Sequence, residues 1–291
     1  MRIGMNIIGI GAGTDPDSIK TIASNAERLN FGTLWSGEHI VFVETFASKY
    51  PYTEDGALPG PVDSPLLSPY VALTYAAAFT QRIRLATGIT IVPEYNPLIL
   101  AKEVMSLDQV SRGRFMLGVG IGWLEEEFQA LGIPWEKRAA RTNEYIAAMK
   151  VLWKQTRASF SGEFVNFNNV ISMPKPTRDI PIAVGGESLP ALKRVARFGT
   201  AWYGYSLTPA QLAEKLKVLE RLLTENHRRL DEIEIIVHPP RRPSLDEMKQ
   251  FHELGVSELV FAPWGRRDAA GHIKRLEELA REFVEPAAKL G

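Results

Sequence analysis

The chain has 291 residues, 34 basic and 34 acidic side chains, no cysteine, and an apolar fraction of 45%. The absence of cysteine excludes disulfides, thiolate catalysis and cysteine metal sites, and zero net charge leaves no whole-protein field to steer it to nucleic acid or an anionic membrane. The N-terminus opens on a strand rather than a basic, apolar leader, and no apolar run approaches the ~18 residues of a membrane span, so a cytoplasmic protein is expected.

Strand one is expected from Ile3 to Ile8, followed by a glycine-rich loop through Gly9, Gly11 and Gly13. Asp15 or Asp17 is placed to cap a helix that reaches Leu29, because a short acid accepts the unpaired N–H groups of a first turn. Strand two is Thr33 to Ser36, with Glu38-His39 just beyond its end. Residues 43–65 are rich in Pro, Gly, Tyr and Asp; a loop this long in a compact domain is usually a functional lid or is disordered. A helix from Leu66 to Thr80, strand three from Ile83 to Val92 and a helix from Pro97 to Ser111 follow. Arg114 to Val119 is an apolar run without helical period, which reads as a buried parallel strand. Gly118, Gly120 and Gly122 alternate at its end and leave backbone bare for a flat group. Glu125 to Glu127 read as a solvated first helical turn. A long helix spans Lys137 to Trp153.

Residues 158–180 break the rhythm with an alternating stretch at 160–167, read as a small β-hairpin insertion. Strand five, Ile182 to Val184, ends at Gly185-Gly186-Glu187-Ser188 before a helix. Strands six to eight are Ala201 to Tyr205, Glu234 to His238 and Glu258 to Ala262, with helices at Pro209 to Arg228, Leu245 to Leu254 and Asp268 to Val284. Eight strand–helix units without a linker predict one α/β domain over 1–291, a TIM-barrel-like (β/α)8 fold with insertions at 43–65 and 158–180. An open doubly wound sheet is the alternative, and the lack of GxGxxG or Walker motifs counts against it.

In such a barrel the chemistry sits at the C-terminal ends of the strands. That rule selects Glu38, His39, Thr90 to Pro93, Gly118 to Trp123, Gly185 to Ser188, His238 and Trp264. A histidine side chain has an unperturbed pKa of ~6.5, so His39 is the preferred acid–base, though a loop hydrogen bond would explain it equally. His227, His252 and His272 fall on predicted helices and are assigned to the surface; His238 is assigned a structural role. No two histidines show ligand spacing and there is no HExxH, so no metal site is expected. Gly185 to Ser188 ahead of a helix can hold a phosphate on backbone N–H groups, provided the Glu187 side chain points away; an ordinary capped turn is the plain reading. Arg241, Arg242, Arg266 and Arg267 either meet an acidic cofactor tail or are loop surface.

The stretch from Gly113 to Trp153 closely resembles the strand-four signature of luciferase-like flavin and F420 enzymes. So do WSGEHI at 35–40, GITIVPEYNPLILAKEV at 88–104, PKP at 174–176 and VGGESLPALKRVARFG at 184–199. The overall pattern resembles the F420-dependent oxidoreductase branch. The resemblance implies a (deaza)flavin at the barrel mouth. Glu38-His39 maps to the acid–His pair beside the cofactor, Thr90-Ile91 to a non-proline cis peptide behind the ring, and Val119 and Gly120 to a backbone patch beside it. Gly185, Gly186, Glu187 and Ser188 map to the phosphate loop. The acid and the Trp typical of the sugar-phosphate dehydrogenases fall near Ile121 and Val43 here, which argues against sugar-phosphate oxidation. Thr200-Ala201-Trp202 replaces the common Asp-Gly-Trp.

The expected activity is hydride transfer between F420 and a small organic substrate, with His39 shuttling a proton and Glu38 orienting it or the ring. Monooxygenation with reduced FMN and O₂, and non-catalytic flavin carriage, are the alternatives. Trp123, Tyr203 and Trp264 are expected to line the substrate pocket under a lid carrying Phe46, Tyr50 and Tyr52, which favours an apolar or aromatic substrate. A homodimer is expected, with neither nucleic acid nor membrane as partner.

Overall fold

The computed structural model describes residues 1–262 and 268–290. Parallel strands β1 (Arg2–Asn6), β2 (Thr33–Ser36), β3 (Arg84–Thr87), β4 (Thr90–Ile91) and β5 (Phe115–Gly120) come first. An antiparallel pair, β6 (Ala158–Ser161) and β7 (Asn166–Val170), forms the predicted hairpin. The parallel series resumes with β8 (Ile182–Gly185), β9 (Ala201–Tyr205), β10 (Glu234–His238) and β11 (Val256–Phe261). Each pairs with the next around a ring, and β11 pairs with β1. β3 and β4 are two halves of one barrel strand, so the nine segments of the sheet close an eight-stranded barrel.

Helices α1 (Pro16–Arg28), α2 (Pro69–Ala77), α3 (Pro97–Val110), α4 (Glu125–Ala130), α5 (Arg138–Lys154), α6 (Leu189–Phe198), α7 (Pro209–Glu225), α8 (Leu245–Glu253), α9 (Ala269–Leu279) and α10 (Glu285–Ala288) surround it. Their starts follow local chemistry. Asp15 accepts the Ser18 N–H at 2.8 Å, and Asn96 caps α3 behind Pro97. Thr208 and Ser244 each open a reciprocal capping box. The predicted helix at Leu66 shortens to α2, because Leu66 pairs with Ile10 in an isolated bridge and Pro69 fixes the first turn. The last helix continues from α9 through a π-turn at Ala280–Val284 into α10.

Strand three departs most from expectation. It breaks after Thr87, and its cis peptide is Gly88–Ile89, not Thr90–Ile91. The break explains the glycines of β5. A Cβ on Gly118 would stand 1.9 Å from the Thr87 carbonyl oxygen, and one on Gly120 would stand 2.3 Å from Ile89 Cδ1. A Cβ on Gly185 in β8 would meet the same methyl at 2.7 Å. Gly118 thus makes room for the strand-three backbone rather than for a ligand. Gly120 and Gly185 form the socket of Ile89.

Inside the barrel, Trp35, Ala86, Met116, Ala183, Ala201, Tyr203, Ile236 and Val260 form a buried cluster. Beneath it, at the N-terminal end, Glu258 is fully buried. It accepts hydrogen bonds from Thr33 Oγ1 (2.8 Å), Trp35 Nε1 (2.9 Å), Arg84 (3.0 Å) and Arg2 (3.2 Å). A polar plug thus closes the bottom, and the open mouth lies at the other end.

Candidate active site

The C-terminal ends of the strands surround a cavity of about 650 Å³. One wall is the β2 loop with Glu38 and His39. Ile89 and Ile91, then Gly120 to Trp123, continue it, and Gly185 to Ser188 and Arg194 form the next side. Tyr203 and Tyr205 come from β9. Segment 43–65 covers the opening, and Tyr50, Pro51, Tyr52, Leu58 to Pro61, Ser64 and Pro65 face the cavity.

Helix α4 fastens this wall. Glu127 is fully buried and its Oε2 lies 2.7 Å from His39 Nδ1, while its Oε1 accepts the N–H groups of Ile40 (2.7 Å) and Val41 (3.2 Å). Three donors converge on one carboxylate, so Nδ1 carries the imidazole proton and Nε2 is left for chemistry. Glu126 accepts the N–H groups of Ala47 (2.6 Å) and Ser48 (3.2 Å), and Ser48 Oγ accepts the Glu125 N–H at 3.1 Å. The acidic run is therefore not the solvated turn its composition suggested; it ties the lid and His39 to α4. The signal lay in its spacing: Leu124, Glu127 and Phe128 share one helical face, and all three are buried.

Glu38 turns away from His39. Its carboxyl accepts the Ile91 N–H at 2.8 Å and the Tyr95 hydroxyl at 2.5 Å. Burial pushes it up to about 7 against the lowering effect of those two bonds, and the nearby Glu127 charge adds to the rise. Glu94, which the sequence did not single out, is buried with no partner for either oxygen; burial and then the charges of Glu127 and Glu38 push it up to about 9. Three acids thus cluster behind one histidine. Among the described residues no group of acids and histidines has the arrangement to hold a metal.

The loop at 185–188 has the form a phosphate needs. Gly186 has φ +104°, and its carbonyl accepts the Trp202 indole N–H at 2.9 Å. Ser188 caps α6. Glu187 Oε1 accepts the Tyr205 N–H at 2.6 Å, and Tyr52 also bonds this carboxylate, so its charge points to the lid side of β9. A bare backbone turn at a helix start beside a large cavity fits the anionic arm of a flat cofactor.

Not every expected residue reaches the cavity. Thr90 is buried with its hydroxyl 2.8 Å from Tyr70, and Val119 sits in the core; neither is among the lining residues. Ile89 takes the place expected for Thr90. Tyr203 lies at the floor, 3% exposed, with no partner for its hydroxyl. Trp123 stands edge-on to His39 (5.8 Å), Phe46 (5.8 Å) and Tyr50 (5.2 Å). Trp264, Arg266 and Arg267 lie outside the described residues. Arg241 is held by Glu247 at 2.6 and 2.9 Å, so it is engaged away from a cofactor tail. His272 is buried, against the expected surface position; His227 is exposed. His238 stacks on Tyr205 at 4.5 Å and burial pushes it down to about 4, so it is a neutral ring.

The closed barrel, its lidded mouth, and His39 and the loop at 185–188 lining one cavity fit a TIM-barrel-like oxidoreductase of the flavin-using kind. The chain belongs to the luciferase-like monooxygenase family, whose pattern it matches over residues 5–285. An uncharacterised protein of Mycobacterium tuberculosis is 33% identical over 282 residues, 95% of this chain and 97% of that one. The FMNH(2)-dependent dimethylsulfone monooxygenase of Pseudomonas putida is 35% identical over 130 residues, 43% of this chain and 36% of that one. The structure of the coenzyme F420 dependent tetrahydromethanopterin reductase of Methanopyrus kandleri shares the fold with a TM-score of 0.76 at 17% identity, covering 98% of both chains. Structures sharing the fold thus include an F420-dependent enzyme and, elsewhere, an FMN-bound one.

Proposed function

We propose that this protein is an F420-dependent oxidoreductase acting on a small organic substrate. The observation that carries the reading is the His39–Glu127 pair at 2.7 Å on the cavity wall. When bound, a deazaflavin gives or takes a hydride, and the protein supplies position and electrostatics. Hydride transfer to or from a carbon–oxygen or carbon–nitrogen centre needs a proton at the heteroatom. His39 moves that proton at Nε2, Glu127 fixes its ring, and Glu38 shapes the bend at Ile91. Loop 185–188 holds the phosphate, and Tyr50, Tyr52, Trp123 and Tyr205 exclude water from the substrate side. Rings on that side favour a substrate with an apolar or aromatic part. The working unit is proposed to be a homodimer, which sedimentation checks.

Fluorescence titration with F420 and, separately, FMN tests the reading. Tight F420 binding with weak FMN binding supports it, and His39→Ala should then cut turnover by ~10²-fold or more while leaving cofactor affinity nearly intact. Unchanged turnover in that variant removes His39 from the mechanism. The local similarity to an FMNH(2)-dependent monooxygenase favours a second reading, reduced FMN with O₂. FMN preference together with substrate-dependent oxygen consumption would select it.

A further inference from the structure

We propose that Arg194 binds the phosphate arm of the cofactor, supplying the positive charge that the loop at 185–188 lacks. This rests on the cofactor reading above for the identity of the anion, and on the following geometry for the site.

Helix α6 has ten residues and opens on the cavity, yet its first turn is a thin anion site. Pro190 has no N–H. The Ala191 N–H already points at Ser188 Oγ, 3.4 Å away. Glu187 adds negative charge nearby. One turn further along, Arg194 lines the cavity while only 5% exposed. Its Nε donates to Asn143 Oδ1 at 2.7 Å, which fixes the fork and leaves the two Nη groups without a hydrogen-bond partner among the described residues. No carboxylate among the described residues forms an ion pair with it, and burial lowers its pKa unopposed by any acid.

A buried cation without a counter-charge is costly, so such groups are normally paired. Three other buried or cavity-lining arginines have partners of their own. Arg141, 6% exposed, gives its guanidinium to the Pro134 and Glu136 carbonyls at 2.8 and 3.1 Å. Arg84 meets Glu234 and Glu258 at 2.9 and 3.0 Å. Arg138 also lines the cavity, but its guanidinium lies over the Trp135 ring at 3.4 Å with Glu125 nearby. Arg194 differs from all three: it is preorganised, desolvated and aimed into the ligand space. A guanidinium fork suits a phosphate because two parallel N–H donors match two oxygens.

The test compares ligand pairs that differ by the phosphate arm: F420 against its phosphate-free deazaflavin chromophore, and FMN against riboflavin. Dissociation constants are measured by fluorescence for the wild type, Arg194→Gln and Arg194→Lys. In the wild type the phosphate-bearing member of the pair that binds should be favoured. Arg194→Gln should weaken that member by roughly 10- to 100-fold and the phosphate-free member by no more than about twofold; Arg194→Lys should restore part of the gap. Equal weakening of both members means a packing role and overturns the inference, as does an undiminished gap. If the wild type binds neither pair, the cofactor reading falls. Inorganic pyrophosphate then decides the arginine: a melting temperature raised in the wild type and not in Arg194→Gln sustains an anion site, and no rise in the wild type overturns it.

Discussion

Glu127 accepts three hydrogen bonds, and each serves a different end. The bond to His39 sets the tautomer, and those from Ile40 and Val41 fix the β2 loop that carries the histidine. Glu127→Gln keeps the shape but can no longer stabilise an imidazolium. Turnover should fall roughly 10²-fold with cofactor affinity little changed, read from steady-state rates and fluorescence titration. Glu94 makes a prediction about pH. Its folded-state value, about 9, lies above the ordinary 4.5. The folded state therefore holds the proton more tightly than the unfolded chain. Stability from this group is complete below about 4.5 and is lost as pH rises toward about 9. Glu94→Gln removes that dependence. Its melting temperature should exceed the wild type's increasingly from pH 5 to pH 9, by ~2–4 °C for each kcal/mol gained. A constant difference across that range would show that Glu94 ionises normally. Glu38, pushed up to about 7, adds the same sign of dependence over a narrower window.

At the scale of elements, the broken third strand and the glycines of β5 and β8 are one construction. Ile89 lodges where side chains on Gly120 and Gly185 would stand. Gly120→Ala should destabilise by ~1–3 kcal/mol in chemical denaturation, through overpacking against Ile89 Cδ1. Adding Ile89→Val removes that methyl and should recover part of the loss. Gly118→Ala meets the Thr87 carbonyl oxygen instead, so Ile89→Val should not rescue it. The lid is an element of its own, stitched to α4 through Glu126 at Ala47 and Ser48. Glu126→Ala should speed proteolytic cleavage within 43–65 several-fold while leaving the barrel intact, as read by mass spectrometry of the fragments. Equal cleavage rates would show that the Glu126 bonds do not hold the lid.

At the scale of the molecule, the barrel is polar at its closed end and aromatic at its open one. Glu258 gathers donors from β1, β2 and β3 and so joins the first strands to the last. Glu258→Leu leaves the Trp35 indole N–H and the Thr33 hydroxyl without their acceptor, while Arg2 and Arg84 keep Glu234. It should cost ~2–4 kcal/mol by denaturant titration, with the cavity at the far end retaining its ligand affinity in the folded fraction. The separation has a physical basis: pairing at the bottom fixes the strand register, which leaves the loops at the top free to vary in shape. Among the described residues no helix is long and apolar enough to cross a membrane.

By itself the sequence determined the repeated strand–helix units, the hairpin, the lid and the loop at 185–188. Hydrophobic period, turn residues and caps are local, and short-range sterics decide them. It also located Glu38, His39 and Trp123 at the mouth and Tyr203 in the pocket below it, because strand ends order themselves once a barrel is assumed. Only the tertiary structure decided which residues those positions meet. Glu127 lies 88 residues from His39 in the chain, and nothing near it announces the pairing. The break at Gly88–Ile89, the orphaned carboxyl of Glu94 and the guanidinium of Arg194, without an ion pair among the described residues, are likewise products of burial. Burial is a property of the whole packed molecule: it removes water from groups whose partners come from distant strands, and that removal turns ordinary side chains into chemical ones.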